Sequence, residues 1–200
     1  IPNGKYCRLT LSKDWKLSGT VYTEVASVRR IDSNKVNESV ERLSPAFGLE
    51  QFYDSPIGTL SMGTRQKISI VAALLHEPSL LLLDEPLNGL DAKTSRIVKD
   101  LISLHSRKNE GAVLFSTHIM EVAENICDRI GIIYKGKIVA EGSIEELRRK
   151  ASEITVAANM GSEETTEKAT LEEVFLKLTH EEEEIAGTIR ALREAFYESR

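Results

Sequence analysis

Cysteine, proline and long apolar stretches are all scarce in this sequence of 200 residues. Its two cysteines, Cys7 and Cys127, lie far apart and match no metal-ligand spacing, which predicts free thiols. The longest purely apolar runs, residues 70–75 and 80–83, fall far short of the roughly 20 residues that a bilayer-spanning helix needs. The pattern of a signal peptide is also missing. Neither a disulfide framework nor a membrane-spanning helix is therefore predicted.

The sequence has fewer basic than acidic residues, 26 against 31. The formal net charge is -5, which argues against a general nucleic-acid-binding protein, because such proteins need a basic surface. Apolar residues make up 41% of the chain and charged residues 28%, as is typical of a globular protein. The triplet Gly-Lys-Ser/Thr of a phosphate-cradling loop is absent, because Tyr6 follows Lys5 and Ile138 follows Lys137.

Strands and helices are predicted to alternate from residue 60 onwards. Four apolar residues have the spacing of one buried helix stripe: Ile68, Val71, Ala72 and Leu75. The apolar run 80–83 ends in two acids and a proline, which predicts a strand buried on both faces. Further helices are predicted at about 20–30, 34–43, 92–105 and 119–127, a loop at 48–58, and strands at 112–116 and 129–134. This order is typical of an α/β domain with a mostly parallel sheet and flanking helices.

The C-terminal part is predicted to contain a hairpin and three helices. A Lys-Gly turn at 135–136 joins two strands. Ser143 with Glu146, and Thr170 with Glu173, have the spacing of capping boxes that open helices. Residues 185–200 form an amphipathic stretch with Ile185, Ile189, Leu192 and Phe196 on one face and Arg190, Arg193 and Arg200 beside it. Two interpretations stay open: a helix on a membrane surface or starting a membrane domain, and a helix docked on its own domain.

Two adjacent acids, Asp84 and Glu85, end the predicted strand 80–83. Ligands of α/β folds bind at the carboxyl edge of the sheet. There, one carboxylate can hold Mg2+ and its neighbour can polarise an attacking water. An acidic turn without a ligand is the alternative.

Three other segments carry groups that suit a phosphate. Ser61 and Gly63 stand at the start of a helix, where a hydroxyl, a backbone N–H and the helix dipole can bind an anion. Asp91 ends a tight loop, and His118 follows the strand 112–116, from which it can reach the phosphates of a nucleotide. Plain N-caps at Ser61 and Asp91, and a structural role for His118, are the alternatives.

In this order and spacing, the segments resemble the nucleotide-binding domain of ATP-binding cassette (ABC) transporters. Leu60-Ser61-Met62-Gly63-Thr64 resembles the signature motif, 80–85 the Walker B strand, Gly89-Leu90-Asp91 the D-loop, and His118 the switch histidine. Residues 135–142 look like the closing strand pair, and 171–179 resemble the tail of ABC-2 type exporter subunits. The resemblance covers roughly residues 17–180.

The resemblance implies a P-loop NTPase-type ATPase that acts as a head-to-tail dimer with a second nucleotide-binding domain. By it, Glu85 is the general base, His118 stabilises the γ-phosphate of ATP, and Asp84 holds Mg2+. The residues implied to contact the partner's nucleotide or to couple the two sites are Leu60, Ser61, Gly63, Thr64 and Asp91. A membrane-spanning permease domain or subunit is the other implied partner, at the cytoplasmic face of the cell membrane, with no nucleic acid involved.

The same resemblance implies a division of the chain. Residues 1–150 are expected to form a partial ABC ATPase domain, with a mostly helical signature subdomain at 1–78 and the segment from Walker B to the closing hairpin at 79–150. Residues 151–200 are expected to be a C-terminal extension. Because the family's Walker A loop is missing, we expect a chain truncated before that loop, with poorly covered apolar surface and no ATP hydrolysis by itself. The signature also departs from the family at two positions. Members of the family usually have glycine where this chain has Met62, and often glutamine where it has Thr64.

Two other functions stay open at this point. One is a non-catalytic or regulatory half-site subunit, against which the presence of Glu85 and His118 argues. The other is a soluble ABC ATPase not involved in transport, which usually carries a long coiled-coil insertion or a tandem cassette. Neither is present in the sequence. The transported substrate is not encoded here, because specificity lies in the membrane domain.

Overall fold

The computed structural model describes residues 21–107, 111–158, 169–179 and 181–197. The chain divides into two compact units, residues 1–118 and residues 119–200. Predictions about residues 1–20, including Cys7, and about Arg200 lie outside the described residues. Within the described residues, no helix has both the length and the apolar content required to cross a membrane.

Over residues 21–107 and 111–118, which the structure describes, the first unit combines four helices with one pair of strands. The helices are α1 (Tyr22–Arg29), α2 (Ser33–Phe47), α3 (Met62–Leu74) and α4 (Ala92–Ser106), with short 3-10 turns at Glu50–Phe52 and Ile57–Thr59. The strands are β1 (Leu80–Asp84) and β2 (Ala112–Ser116). The predicted α/β class is thereby confirmed for this unit.

Helix α2 runs four residues further than the sequence pattern predicted. Asp32 begins it as an N-cap, accepting a hydrogen bond from the N–H of Asn34 at 2.9 Å. Pro45 lies in the last turn, and Gly48 ends the helix with a left-handed φ of 62°. Glycine reaches this conformation without steric cost, and its N–H donates to the carbonyls of Ser44 and Pro45. The cap glycine, rather than the proline, therefore sets the end of α2.

The predicted stripe of α3 is confirmed. Its four residues, Ile68, Val71, Ala72 and Leu75, are all buried, and Ile70 is buried beside them. Burial of this face contributes to the core of the first unit, since removing apolar surface from water is the main favourable term in folding.

Strands β1 and β2 are parallel, with Leu82 opposite Leu114 and Asp84 opposite Ser116. The prediction that 80–83 is buried on both faces is wrong. Leu81 is only 3% exposed, whereas Leu80 and Leu82 are 38% and 42% exposed. Successive side chains of a strand point to opposite faces. Within the described residues, one face of this strand pair packs on the core and the other stays in contact with solvent.

The second unit begins with helix α5 (Met120–Ile126) and a hairpin. The hairpin pairs β3 (Ile130–Tyr134) with β4 (Lys137–Gly142) in antiparallel order, as predicted. Its turn residues Lys135 and Gly136 have positive φ angles of 48° and 76°. Cys127, just before β3, is a free thiol, and burial raises its pKa to about 11.

The described residues after the hairpin form helices α6 (Ile144–Ala158), α7 (Leu171–Thr179) and α8 (Glu182–Tyr197). Both predicted capping boxes are confirmed. The N–H of Ser143 donates to Glu146 at 2.9 Å, and the N–H of Thr170 donates to Glu173 at 3.0 Å.

A single arginine ties three helices of this unit together. Arg148 on α6 pairs with Glu124 on α5 at 2.5 Å and donates to the carbonyl of Ala169 at 2.7 Å. The other carboxylate oxygen of Glu124 accepts from the N–H of Leu171 at 3.1 Å, at the start of α7. Since α6 continues across residue 150, the expected division between ATPase domain and extension at that residue stays a prediction.

Candidate functional site

The predicted acids lie where β1 and β2 end side by side. Asp84 accepts a hydrogen bond from the hydroxyl of Ser116 at 2.5 Å, and the N–H of Glu85 donates to the same hydroxyl oxygen at 3.0 Å. The parallel register, which sets Asp84 opposite Ser116, makes this contact possible. One serine therefore fixes both the side chain of Asp84 and the backbone of Glu85.

Glu85 and His118 meet across this edge. The Oε2 atom of Glu85 is 3.0 Å from Nδ1 of His118. The side chain of Glu85 is 31% exposed and that of His118 is 68% exposed, so the pair is open to solvent. The structure therefore brings together two predicted site residues that are far apart in sequence.

The backbone of Glu85 is unusual because its φ angle is 45°. Residues other than glycine seldom adopt this left-handed conformation, and the proline that follows disfavours it further. Glu77, which also precedes a proline, has the same φ of 45° but takes no part in the contacts at this edge. The backbone conformation alone therefore does not mark a functional residue. Three features distinguish Glu85: its N–H donates to Ser116, its carboxylate lies 3.0 Å from His118, and its carbonyl accepts from Gln66 at 3.3 Å.

The signature residues lie at the start of α3. Ser61 is the N-cap, and its hydroxyl accepts from the N–H of Thr64 at 3.1 Å and hydrogen-bonds the hydroxyl of Thr64 at 2.9 Å. Leu60 is buried, and its carbonyl accepts from Arg65 at 2.7 Å. Ser61 is exposed, so the cap interpretation and an anion-binding role are compatible.

Gly63 lies against the loop that follows Glu85. A side-chain carbon added at Gly63 would lie 2.2 Å from the carbonyl oxygen of Gly89, closer than any real contact. Gly89 has a φ of 72° and lies beside Met62 and the backbone of Gly63. The signature segment and the D-loop segment of the same chain are thus in direct backbone contact, which only glycine at 63 permits.

Asp91 caps α4 and also faces α3. Its carboxylate accepts from the N–H and the hydroxyl of Thr94 at 2.9 and 2.7 Å, and Nζ of Lys67 lies 3.4 Å away. The hydrogen bonds from Thr94, and next the positive charge of Lys67, hold the pKa of the Asp91 carboxyl well below its usual range. A negative charge at a helix N-terminus is also favoured by the helix dipole.

A magnesium ion would suit Asp84. Its carboxylate is exposed at the strand end, with one oxygen fixed by Ser116. Among the residues that the structure describes, no group of three His, Cys, Asp or Glu side chains could hold a metal. Mg2+ does not require such a cage, because it keeps much of its water and usually binds one or two carboxylates together with substrate phosphates.

Three residues of this region were not predicted from the sequence. Ser116 bridges the two acids, Gln66 reaches the carbonyl of Glu85, and Lys67 pairs with Asp91. The sequence held a signal for Ser116, because this hydroxyl residue ends β2 and the acids follow at the end of the neighbouring strand β1. Gln66 and Lys67 gave no such signal, since polar residues on a helix are usually solvated.

The comparisons with known proteins agree with this geometry. Residues 10–88 match the family model described as ABC transporter. The chain is 33% identical to the ABC transporter ATP-binding protein NatA of Bacillus subtilis over 72% of this chain and 55% of NatA. It is 34% identical to YbhF of Escherichia coli, named a probable multidrug ABC transporter ATP-binding protein, over 72% of this chain and 23% of YbhF. The chain therefore spans about half of NatA and about a quarter of YbhF.

A solved structure has the same fold. An ATP-binding subunit of an ABC transporter superposes with a TM-score of 0.73 and 27% identity, over 85% of this chain and 65% of that one. This structural match covers 85% of the chain, whereas the sequence match to NatA covers 72%. Family model, relatives and fold agree, and the chain belongs to the ABC transporter family of ATP-binding proteins.

Proposed function

We propose that this chain takes part in ATP hydrolysis that powers transport across a membrane, as an ATP-binding subunit or part of one. The observation that carries the proposal is the 3.0 Å contact between Glu85 and His118, next to the Asp84 carboxylate that Ser116 holds. The proposed base, sensor and metal ligand therefore share one edge of the strand pair. This is the arrangement that positioning and charge stabilisation of a triphosphate require.

Glu85 is the proposed general base. Its Oε2 contacts His118, so Oε1 would accept the proton of the water that attacks the γ-phosphate. The contact at Nδ1 fixes the imidazole ring of His118, so its Nε2 would be directed at a phosphate oxygen. The Asp84 carboxylate would hold Mg2+, which when bound supplies positive charge against the phosphate oxygens.

The start of α3 is proposed to serve a second copy of the domain. Ser61 and Gly63 would offer a hydroxyl and a backbone N–H to the nucleotide held by the partner subunit, with Leu60 and Thr64 fixing that turn. Asp91 would couple the two sites, since its partner Lys67 lies on the same helix as the signature residues. This requires a head-to-tail dimer.

The setting of the subunit is also part of the proposal. A permease domain or subunit would be the membrane partner, and the chain would work at the cytoplasmic face of the membrane. The similarity of residues 171–179 to the tail of ABC-2 type exporter subunits supports export as the direction. The multidrug name of YbhF is compatible with that direction.

The test compares two glutamates with the same backbone conformation. Both Glu85 and Glu77 have a φ of 45° and precede a proline, so Glu85→Gln and Glu77→Gln perturb the backbone alike. The activity is measured in a polypeptide that joins this chain to an ABC segment carrying a Gly-Lys-Ser/Thr loop. Glu85→Gln is expected to lower kcat by roughly 10²–10⁴-fold while leaving ATP binding intact. Glu77→Gln is expected to leave both unchanged.

Equal turnover in the Glu85→Gln variant and the unsubstituted protein would contradict the proposal. We expect no measurable ATP turnover from the 200 residues alone, because they contain no Gly-Lys-Ser/Thr triplet to cradle the phosphates. Turnover by these residues that is lost in Glu85→Gln would contradict that separate expectation. Binding of nucleotide by the joined polypeptide without hydrolysis would instead favour a non-catalytic or regulatory half-site subunit.

A further inference from the structure

Ser116 connects the two neighbouring acids of the candidate site. Its hydroxyl donates to Oδ1 of Asp84 at 2.5 Å and accepts from the backbone N–H of Glu85 at 3.0 Å. We propose that Ser116 is a positioning residue for ATP hydrolysis: it sets the affinity of the site for the divalent cation bound to ATP and holds the backbone from which Glu85 acts. The inference rests on the ATPase role proposed above and deepens it.

The two hydrogen bonds of Ser116 fix the direction of its proton. A serine hydroxyl has one proton to donate and lone pairs that accept, whereas a backbone N–H can only donate. A lone pair therefore faces Glu85, and the single proton is directed to Asp84. The carboxylate of Asp84 is thus held by a donor whose orientation the main chain sets, and Oδ2 is the oxygen left for a cation.

The orientation of Asp84 matters because Mg2+ uses few protein ligands. The ion keeps much of its water and usually binds one or two carboxylates together with substrate phosphates. Polar groups that orient a metal-binding side chain typically contribute about 10- to 100-fold to metal affinity. Loss of the Ser116 hydroxyl should therefore weaken the hold on the cation rather than on the nucleotide itself.

The same hydroxyl supports the unusual backbone of Glu85. This residue has a φ of 45° and precedes Pro86. Such conformations persist where the surrounding contacts determine them. Ser116 holds the N–H of Glu85, and Gln66 holds its carbonyl at 3.3 Å. Without the hydroxyl, the carbonyl bond alone of this pair would remain, and the carboxylate that lies 3.0 Å from His118 would be held less firmly.

A role in the fold alone explains Ser116 less well. The residue is exposed, so its side chain is not part of the core. Strands β1 and β2 pair through their backbones in one parallel register from Leu80 and Ala112 to Asp84 and Ser116, and this pairing does not need a hydroxyl at its end. Substitutions at exposed positions usually change stability little. The hydroxyl is therefore best explained by the two acids that it contacts.

The test removes two serine hydroxyls, one at a time, from the polypeptide that joins this chain to an ABC segment carrying a Gly-Lys-Ser/Thr loop. Ser116→Ala removes the hydroxyl at the acids, and Ser106→Ala removes one that donates to the helix carbonyl of Ser103 at 3.0 Å. The dissociation constant of the Mn2+–ATP complex, followed by the electron paramagnetic resonance of Mn2+, should rise about 10- to 100-fold in Ser116→Ala and stay unchanged in Ser106→Ala. Binding of ATP in EDTA should be equal in the two variants.

Threonine at position 116 provides the conservative variant. It keeps the hydroxyl and suits an exposed strand position. At saturating Mg2+, kcat should fall about two- to tenfold in Ser116→Ala, because one hydrogen bond to the backbone of Glu85 is lost. Ser116→Thr should restore both kcat and the affinity for Mn2+–ATP.

A third measurement needs no nucleotide and no joined segment. In the 200-residue chain, the backbone amide proton of Glu85 donates to Ser116. Its exchange with water, followed by nuclear magnetic resonance, should be about two- to tenfold faster in Ser116→Ala than in Ser116→Thr. This readout reports the position of the backbone without any contribution from catalysis.

Four outcomes would overturn the inference. They are equal affinities for Mn2+–ATP in Ser116→Ala and Ser106→Ala, a loss of ATP binding in EDTA as large as the loss of Mn2+–ATP binding, no recovery in Ser116→Thr, and equal exchange of the Glu85 amide in the two Ser116 variants. The proposed ATPase role fails separately. Full turnover in Glu85→Gln would remove the general base but not the loss of Mn2+–ATP affinity in Ser116→Ala, whereas lost turnover in Glu85→Gln with unchanged affinity in Ser116→Ala would remove this inference alone.

Discussion

Single residues set the geometry of the candidate site. The hydroxyl of Ser116 contacts both Asp84 and the backbone of Glu85. Gly63 lies so close to the carbonyl of Gly89 that any residue with a Cβ would clash there. Glu85 adopts a left-handed backbone whose cost is about 1–2 kcal/mol for an L residue. The hydrogen bonds of Glu85 with Ser116 and Gln66, and its 3.0 Å contact with His118, help to offset that cost.

The contact at Gly63 leads to a prediction about stability. Gly63→Ala should lower the free energy of unfolding by about 1–3 kcal/mol, although alanine is normally favoured in helices, because its Cβ would clash with the carbonyl of Gly89. Urea unfolding followed by circular dichroism measures the change. The control is Met62→Ala on the exposed neighbour, which should change stability by no more than about 0.5 kcal/mol. A more stable Gly63→Ala protein would show that α3 and the loop at Gly89 are not in contact.

Among the secondary-structure elements, the starts of helices α3 and α4 carry residues of the candidate site. Ser61 and Asp91 cap α3 and α4, and these two helices approach each other through the Lys67–Asp91 pair at 3.4 Å. In the second unit, Ser143 and Thr170 cap α6 and α7, and the pair of Arg148 with Glu124 joins α5, α6 and the start of α7. Loss of one partner of such a half-buried pair would leave the other charge without compensation.

The Asp91 cap predicts a specific dependence of stability on pH. Since the pKa of this carboxyl is lowered in the folded chain, its stabilisation is complete above the unfolded pKa, about 3.9, and is lost as pH falls through the folded pKa. The stability advantage of the unsubstituted chain over Asp91→Asn should therefore shrink below about pH 4. Urea midpoints between pH 7 and pH 3 measure it, with Asp100→Asn on the same helix as the control for charge removal. An advantage that grows on acidification would contradict the assignment of the low pKa.

The whole chain consists of two compact units, each with its own buried cluster. The first unit leaves one face of its strand pair exposed, where Leu114 is 66% exposed beside Leu80 and Leu82. The second unit exposes Ile133 and Ile138 on its hairpin, and Leu192 and Phe196 on α8. Contiguous apolar surface of this kind marks an interaction site or an aggregation liability.

Two neighbouring leucines of β1 should respond in opposite ways to the same substitution. Leu82→Thr should raise the soluble concentration of the 200-residue chain and change its stability little, because Leu82 is largely exposed and threonine suits strands. Leu81→Thr should instead lower the free energy of unfolding by at least about 2 kcal/mol, since it opens a cavity and buries a hydroxyl. Solubility after centrifugation and urea unfolding provide the two measurements. Equal behaviour of the two variants would show that the faces of β1 are not distinct.

The sequence by itself determined the order of elements, the buried stripe of α3 and the capping boxes. These features depend on contacts between residues three or four positions apart, so local spacing contains the information. Only the tertiary structure decided that the strand 80–83 has one open face, that Gly63 touches Gly89 and that Ser116 joins Asp84 to Glu85. Strand register and packing bring together residues that are 26 to 32 positions apart in the chain. The spacing of apolar residues along the chain does not show which face of a strand or helix its neighbours cover.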